Sequence, residues 1–434
     1  MLWPDNGVFQ RRSKGLDLLG GVSMGLFYII SGFVMWLGYG HLSHGGGKYC
    51  CDCCCVDTPP GSTGCCFPCF CEPSQLASGA ADATAEPPPP PPFDRRAFYW
   101  KRFARIGPLW YLGNLSTLPL YFLGCHPAAK FGIWPFWAGF GLSLFPLGLN
   151  SWTVTLFPPA GHLWSISTMT FFYLLFPAIR EPLKRVRPSK IRLFAFTLYC
   201  IQFGSMAIST LIVFDPEVGY WQARAWPPNR LPVFIMGMLA ARQAELEASD
   251  AVHRQQCHDC SYWMGYHRAT LLFAFWMVFV SAGVVQQIVY DDIWISGAMR
   301  LGGEMVLPML FYDLILALAY PAKLEKPPTW LHRLLSTLPF RWFANISLAV
   351  YVVHLLLIQY IVLVFYPRLE ELELQRDDSL SRMPAVGIAA TLPLSILVGW
   401  LLTTFYEKPM SALILRIVLP APNRVLPDGG VPVA

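Results

Sequence analysis

Three cations stand where an apolar run begins: Lys101, Arg102 and Arg105 in FYWKRFARIGPLWYL, residues 98–112. Arg102 and Arg105 are three apart, so on a helix they share one face and can present two planar guanidinium forks to a phosphate-bearing substrate. The same positions also fit anchors at a helix end, marking the cytoplasmic side or reaching to lipid headgroups. His162 opens HLWSISTMTFFYLLFP, followed by Trp164, Ser165 and Tyr173. An imidazole at a helix mouth serves either as an interfacial hydrogen-bonding group or as a base. His354, inside SLAVYVVHLLLIQY, reads as a helix-packing hydrogen bond, or as a proton acceptor where it faces a cavity. Asp17, at the start of the first apolar segment, would cap a helix or orient a nearby cation. Glu407, before Lys408 and Pro409, reads as a salt-bridging residue ending the last helix, and Trp164 and Tyr173 read as packing residues.

The elements that must position these groups are set by composition. Over 434 residues, 54% are hydrophobic, 15% aromatic and 14% charged, far from a soluble average. Mean hydropathy is +0.42. A hydrocarbon core about 30 Å thick takes about 20 apolar residues per helix. The candidate spans are 16–42, 106–125, 131–149, 162–180, 191–214, 230–242, 268–290, 298–320, 343–366 and 385–406. The expected fold is therefore an all-α, polytopic, multi-pass bundle of nine or ten transmembrane helices in a plasma membrane or endomembrane. The short run 230–242 continues as ARQAELEAS and is expected to emerge early as a polar helix; 181–192, 241–260 and 367–382 read as connecting loops. No removable signal peptide is visible in MLWPDNGVFQRRSKG. The net charge of +5 is spread over helix flanks, which speaks against a nucleic-acid partner.

One segment interrupts the pattern. Residues 43–97 carry Gly45 to Gly47, nine cysteines between Cys50 and Cys71, and a proline run from Pro87 to Pro92. With few large aliphatic residues it cannot pack a core, so a disordered, dispensable loop is expected. Disulfides, thiolate-bound zinc and thiol acylation are the competing readings of such cysteines. CxxC spacing at Cys66 and Cys69, and at Cys257 and Cys260, is too common in low-complexity sequence to assign a metal site.

Taken in order, LDLLGG (16–21), YIISGFVMWL (28–37), FYWKRFARIGPLWYL (98–112), HLWSISTMTFFYLLFP (162–177), NRLPVFIMGMLAA (229–241), NISLAVYVVHLLL (345–357) and TFYEKPM (404–410) resemble the blocks of the acyltransferase-3 family of polytopic O-acyltransferases. The resemblance implies one membrane domain over 1–420, interrupted by the 43–97 loop and followed by a tail, 421–434. It implies transfer of an acetyl or longer acyl group from acyl-CoA, a co-substrate and not a bound cofactor, to a hydroxyl of a carbohydrate, lipid or small molecule. Arg102 and Arg105, with Lys101, would then hold the donor's phosphates. Acyl transfer to a hydroxyl also needs a positioned base, and here the sequence departs from the family. Gly20 stands where its first block has arginine, residues 21–28 run straight into the second block, and the intervening helix with its histidine is missing. Met169 and Thr170 occupy the usual glutamate pair. His162 is the substitute base expected.

Charge placement agrees with a lost helix. Arg11, Arg12 and Lys14 precede the first span and Arg95 to Arg105 precede the next, so one crossing separates two basic flanks. The basic stretch from Lys184 to Arg192 poses the same parity problem, which a re-entrant reading of 131–149, broken by Pro135 and Pro146, would relieve. Three functions compete: an O-acyltransferase, a catalytically silent relative that binds or scaffolds, and a transporter with intramembrane charges such as Glu304 and Asp313.

Overall fold

The computed structural model describes residues 24–40, 93–122, 133–144, 152, 160–212, 223–253, 267–268, 270–279, 281–282, 293–323, 330–365 and 383–419. Among them there is no strand. The helices are α1 (Met24–Tyr39), α2 (Arg95–Leu115), α3 (Leu118–Phe122), α4 (Ile133–Leu144), α5 (Trp164–Lys184, entered through a 3-10 turn at Gly161–Leu163), α6 (Ile191–Ile212), α7 (Pro227–His253), α8 (Thr270–Phe279), α9 (Ile293–Lys323), α10 (Trp330–Leu335), α11 (Leu338–Phe365), α12 (Met383–Leu402) and α13 (Lys408–Val418). A π-helical turn at Thr403–Glu407 joins α12 to α13. Three segments among the described residues are long and apolar enough to cross a membrane: Gly161–Lys184, Pro188–Ser209 and Leu338–Ile358. They coincide with three of the expected spans.

Several expected boundaries shift for local reasons. Asp94 accepts a hydrogen bond from the Ala97 amide at 3.1 Å and caps α2, so this helix starts inside the expected 43–97 loop and carries the basic cluster on its first turns. α7 runs on to His253, so much of the expected 241–260 loop is helix. Its polar half is held by partners on three other helices: Gln243 with Tyr312 of α9, Glu245 with Trp36 of α1, and Glu247 with Arg192 of α6. Asp17, the cysteine cluster, Cys257 and Cys260, the 367–382 stretch and the 421–434 tail lie outside the described residues.

Helix ends leave their last carbonyls without intrahelical partners, and neighbouring side chains supply them. Arg180 donates to the Tyr39 carbonyl at the end of α1, and Arg242 donates to the Leu183 and Lys184 carbonyls at the end of α5. Trp110 and Tyr111 reach the carbonyls of Ser143 and Leu144 at the end of α4, at 2.8 and 3.3 Å. Pro108 has no amide hydrogen, which frees the carbonyl four residues back. That carbonyl, on Ala104, accepts from Ser411 of α13 at 2.5 Å, while Tyr406 reaches the Pro108 carbonyl at 3.3 Å.

The core is aromatic around α1. Phe98 stacks on Phe176 at 5.2 Å, Phe172 on Phe234 at 4.9 Å, and Tyr39 meets Phe98 edge-on at 5.0 Å. α1 and α7 cross backbone to backbone: a Cβ on Gly32 would enter the Phe234 carbonyl, and one on Gly237 the Ile29 carbonyl. α2 runs opposite to α5, from Phe98 beside Phe176 to Gly113 beside Leu163. Consequently the start of α2 and the turn between α5 and α6 lie at the same end of the bundle. Both described basic segments, Arg95 to Arg105 and Lys184 to Arg192, therefore face one side.

Candidate active site

His162 sits in the turn before α5, where the chain presents its ring to α11. Its Nε2 is 2.9 Å from the Val352 carbonyl. A carbonyl only accepts, so Nε2 carries the hydrogen and Nδ1 keeps the lone pair. The backbone of the same residue is also held, because the Tyr351 hydroxyl donates to the His162 carbonyl. Ser165, in the first turn of α5, donates to the Tyr351 hydroxyl at 2.6 Å. His354 lies one turn along α11, its Nδ1 2.6 Å from the Tyr351 carbonyl. The two imidazoles are 5.6 Å apart between ring centroids, nearly perpendicular, and both are half-buried. Four residues from two distant segments thus form one polar cluster.

Beside it lies a buried ionic group. Glu304 of α9 pairs with Arg224 at 3.1 Å and with Arg230 of α7; all three are at most 4% exposed. Arg230 also donates to the Arg224 carbonyl at 2.8 Å, and Arg224 stands 5.5 Å over the Trp164 ring. The Arg224 charge is within electrostatic reach of Tyr351. Trp164 is therefore a platform for a cation as well as a packing residue.

The three cations expected to bind a donor lie elsewhere. Arg102 donates to the Tyr39 hydroxyl at 2.9 Å, and its guanidinium is surrounded by the rings of Tyr39, Phe98 and Tyr173 at 5.0, 5.8 and 5.8 Å. Lys101 and Arg105 are exposed. Arg102 and Arg105 share a face of α2, since both bear electrostatically on Tyr173. From Arg102 to Gly113, level with Leu163, the helix rises about 16 Å, which separates this basic end from the histidines.

Glu407 accepts from Thr403 at 3.2 Å, with Arg105 and Lys408 the positive charges that bear on it. It is a buried hydrogen-bonded carboxyl in the π turn, where the sequence suggested a salt bridge. Met169 is 2% exposed within the aromatic core, and the Thr170 hydroxyl bonds back to the Ile166 carbonyl at 3.0 Å. No group of three metal-ligating side chains occurs among the described residues. Sequence reasoning missed Tyr351, Arg224 and Tyr39. Tyr351 was signalled weakly by standing three residues before His354, on the same helix face; nothing local singles out Arg224.

Helices long enough to span a bilayer, with buried charges paired inside and a histidine-centred polar cluster, define a helical membrane protein with a polar site. The chain belongs to the acyltransferase-3 family: the family model, described as an acyltransferase domain, matches residues 2–404. No curated protein and no solved structure matches the chain.

Proposed function

We propose that this protein is a membrane-bound acyltransferase that moves an acyl group from acyl-CoA to a hydroxyl of a carbohydrate, lipid or small molecule. The observation that carries this reading is the setting of His162, whose ring and backbone are both held by α11 while Nδ1 stays free to accept a proton. A fixed tautomer with one free nitrogen is what a general base requires. Nδ1 takes the proton of the acceptor hydroxyl as its oxygen attacks the thioester carbon.

Arg105 and Lys101, exposed at the basic end, face the donor's phosphates, and Arg102 sets the angle of this turn through its contacts with Tyr39 and Tyr173. The separation of about 16 Å between this end and the histidines suits a donor whose phosphates and thioester are joined by a long flexible arm. The cation-rich end is the cytoplasmic one, where acyl-CoA is made.

A catalytically silent, ligand-binding relative is the second reading. It is favoured by Met169, packed in the core where the family resemblance places a glutamate. Purified protein incubated with radiolabelled acetyl-CoA, beside His162→Ala, separates the two. Transfer or donor hydrolysis that vanishes in His162→Ala supports the enzyme; CoA binding with no turnover in either protein supports the silent relative.

A further inference from the structure

We propose that His354 is the second proton-handling group of this site, working in series with His162; the inference rests on the acyltransferase reading. The two rings come from segments nearly two hundred positions apart, yet they are 5.6 Å between centroids. Each is locked by a main-chain carbonyl of α11, His162 through Nε2 to Val352 and His354 through Nδ1 to Tyr351. Each carbonyl fixes a hydrogen on the nitrogen it faces, so the lone pairs sit on His162 Nδ1 and His354 Nε2. No side chain among the described residues bonds to either ring, and His354 also has the Val350 carbonyl beside it. A single imidazole that only packed two helices together would not require a second one beside it with the complementary tautomer.

The division of labour follows from what acyl transfer must move. As the acceptor oxygen bonds to the acyl carbon, its proton goes to His162 Nδ1. As the carbon–sulfur bond breaks, the bonding pair leaves on sulfur, which must be protonated to depart as a thiol. His354 Nε2 receives the proton from His162 through one intervening water and gives it to that sulfur. Both rings return to neutral, and the products are the ester and free CoA, with no other reactant consumed. Starting and ending without charge suits rings that are half-buried in an apolar bundle.

Bromoacetyl-CoA, whose carbon is attacked by an unprotonated imidazole, tests this on the full-length protein in detergent or nanodiscs whether or not the chain turns over. The label is expected on His162 or His354, blocked by excess CoA, and in His162→Gln it should fall on His354. Where transfer is measurable, His354→Gln should lower kcat about 100-fold, with the KM for acetyl-CoA unchanged. His354→Asn, with a shorter side chain, guards against a folding artefact: both variants must still bind CoA. A label that never reaches His354 in His162→Gln, or a His354→Gln protein with wild-type kcat, overturns the proposal while the donor site stands. Absence of CoA binding in the wild type instead removes the acyltransferase reading on which it rests.

Discussion

At the scale of single residues, the hydroxyl of Tyr351 has two tasks: it accepts from Ser165 and donates to the His162 carbonyl. Tyr351→Phe keeps the ring and removes both bonds, so His162 loses one of its two ties to α11. We expect kcat to fall about 10- to 100-fold, the scale of a misplaced catalytic group, with CoA binding unchanged by calorimetry. The cations of α2 divide in the same way. Arg102 is tied to Tyr39 and ringed by aromatics, so Arg102→Gln should cost about 2 kcal/mol of stability, read as a lower thermal midpoint. Arg105 is exposed, so Arg105→Gln should leave the midpoint in place and weaken acyl-CoA binding. The sequence marked Arg102 and Arg105 as equivalent because spacing was all it offered; their different surroundings come from α1 and α5.

At the scale of elements, Pro108 and Ser411 should behave as a coupled pair. The proline removes an amide from α2, and α13 supplies the missing donor to Ala104. Ser411→Ala is expected to cost about 1 kcal/mol in the natural background and clearly less beside Pro108→Ala, where an amide can reclaim the carbonyl. Thermal unfolding of the four proteins of the double-mutant cycle reads the coupling, and equal costs in both backgrounds would refute it. Helix positions were largely legible from apolar runs, but ends were not. α7 continues past its apolar stretch because Gln243, Glu245 and Glu247 find partners on three other helices. No window of local sequence contains those partners.

At the scale of the whole molecule, the start of α2 and the α5–α6 turn face one side, since α2 and α5 run in opposite directions. A protease site inserted beside Arg95 and another after Arg187 should therefore be cut from the same side of sealed vesicles; cleavage from opposite sides would refute this arrangement. α4 spans twelve residues and ends beside Trp110 and Tyr111, partway along α2. If the cysteine- and proline-rich stretch is dispensable, deleting 45–92 will leave expression and CoA binding intact. Bound zinc lost together with folding would favour the metal reading.

The sequence by itself determined the solvent in which this protein folds, the positions of its most apolar helices, and its family, because these follow from composition, periodicity and the order of short blocks. It also singled out His162, His354 and the α2 cations, since few residue types carry charge or a transferable proton beside apolar runs. Only the tertiary structure decided which of them lie together. His162 and His354 are neighbours because α11 packs against the turn before α5 and offers two carbonyls there, whereas Arg102 lies about 16 Å along α2 from them. Such pairings depend on contacts between segments far apart in the chain, and those contacts arise from helix packing that spacing along the sequence does not encode.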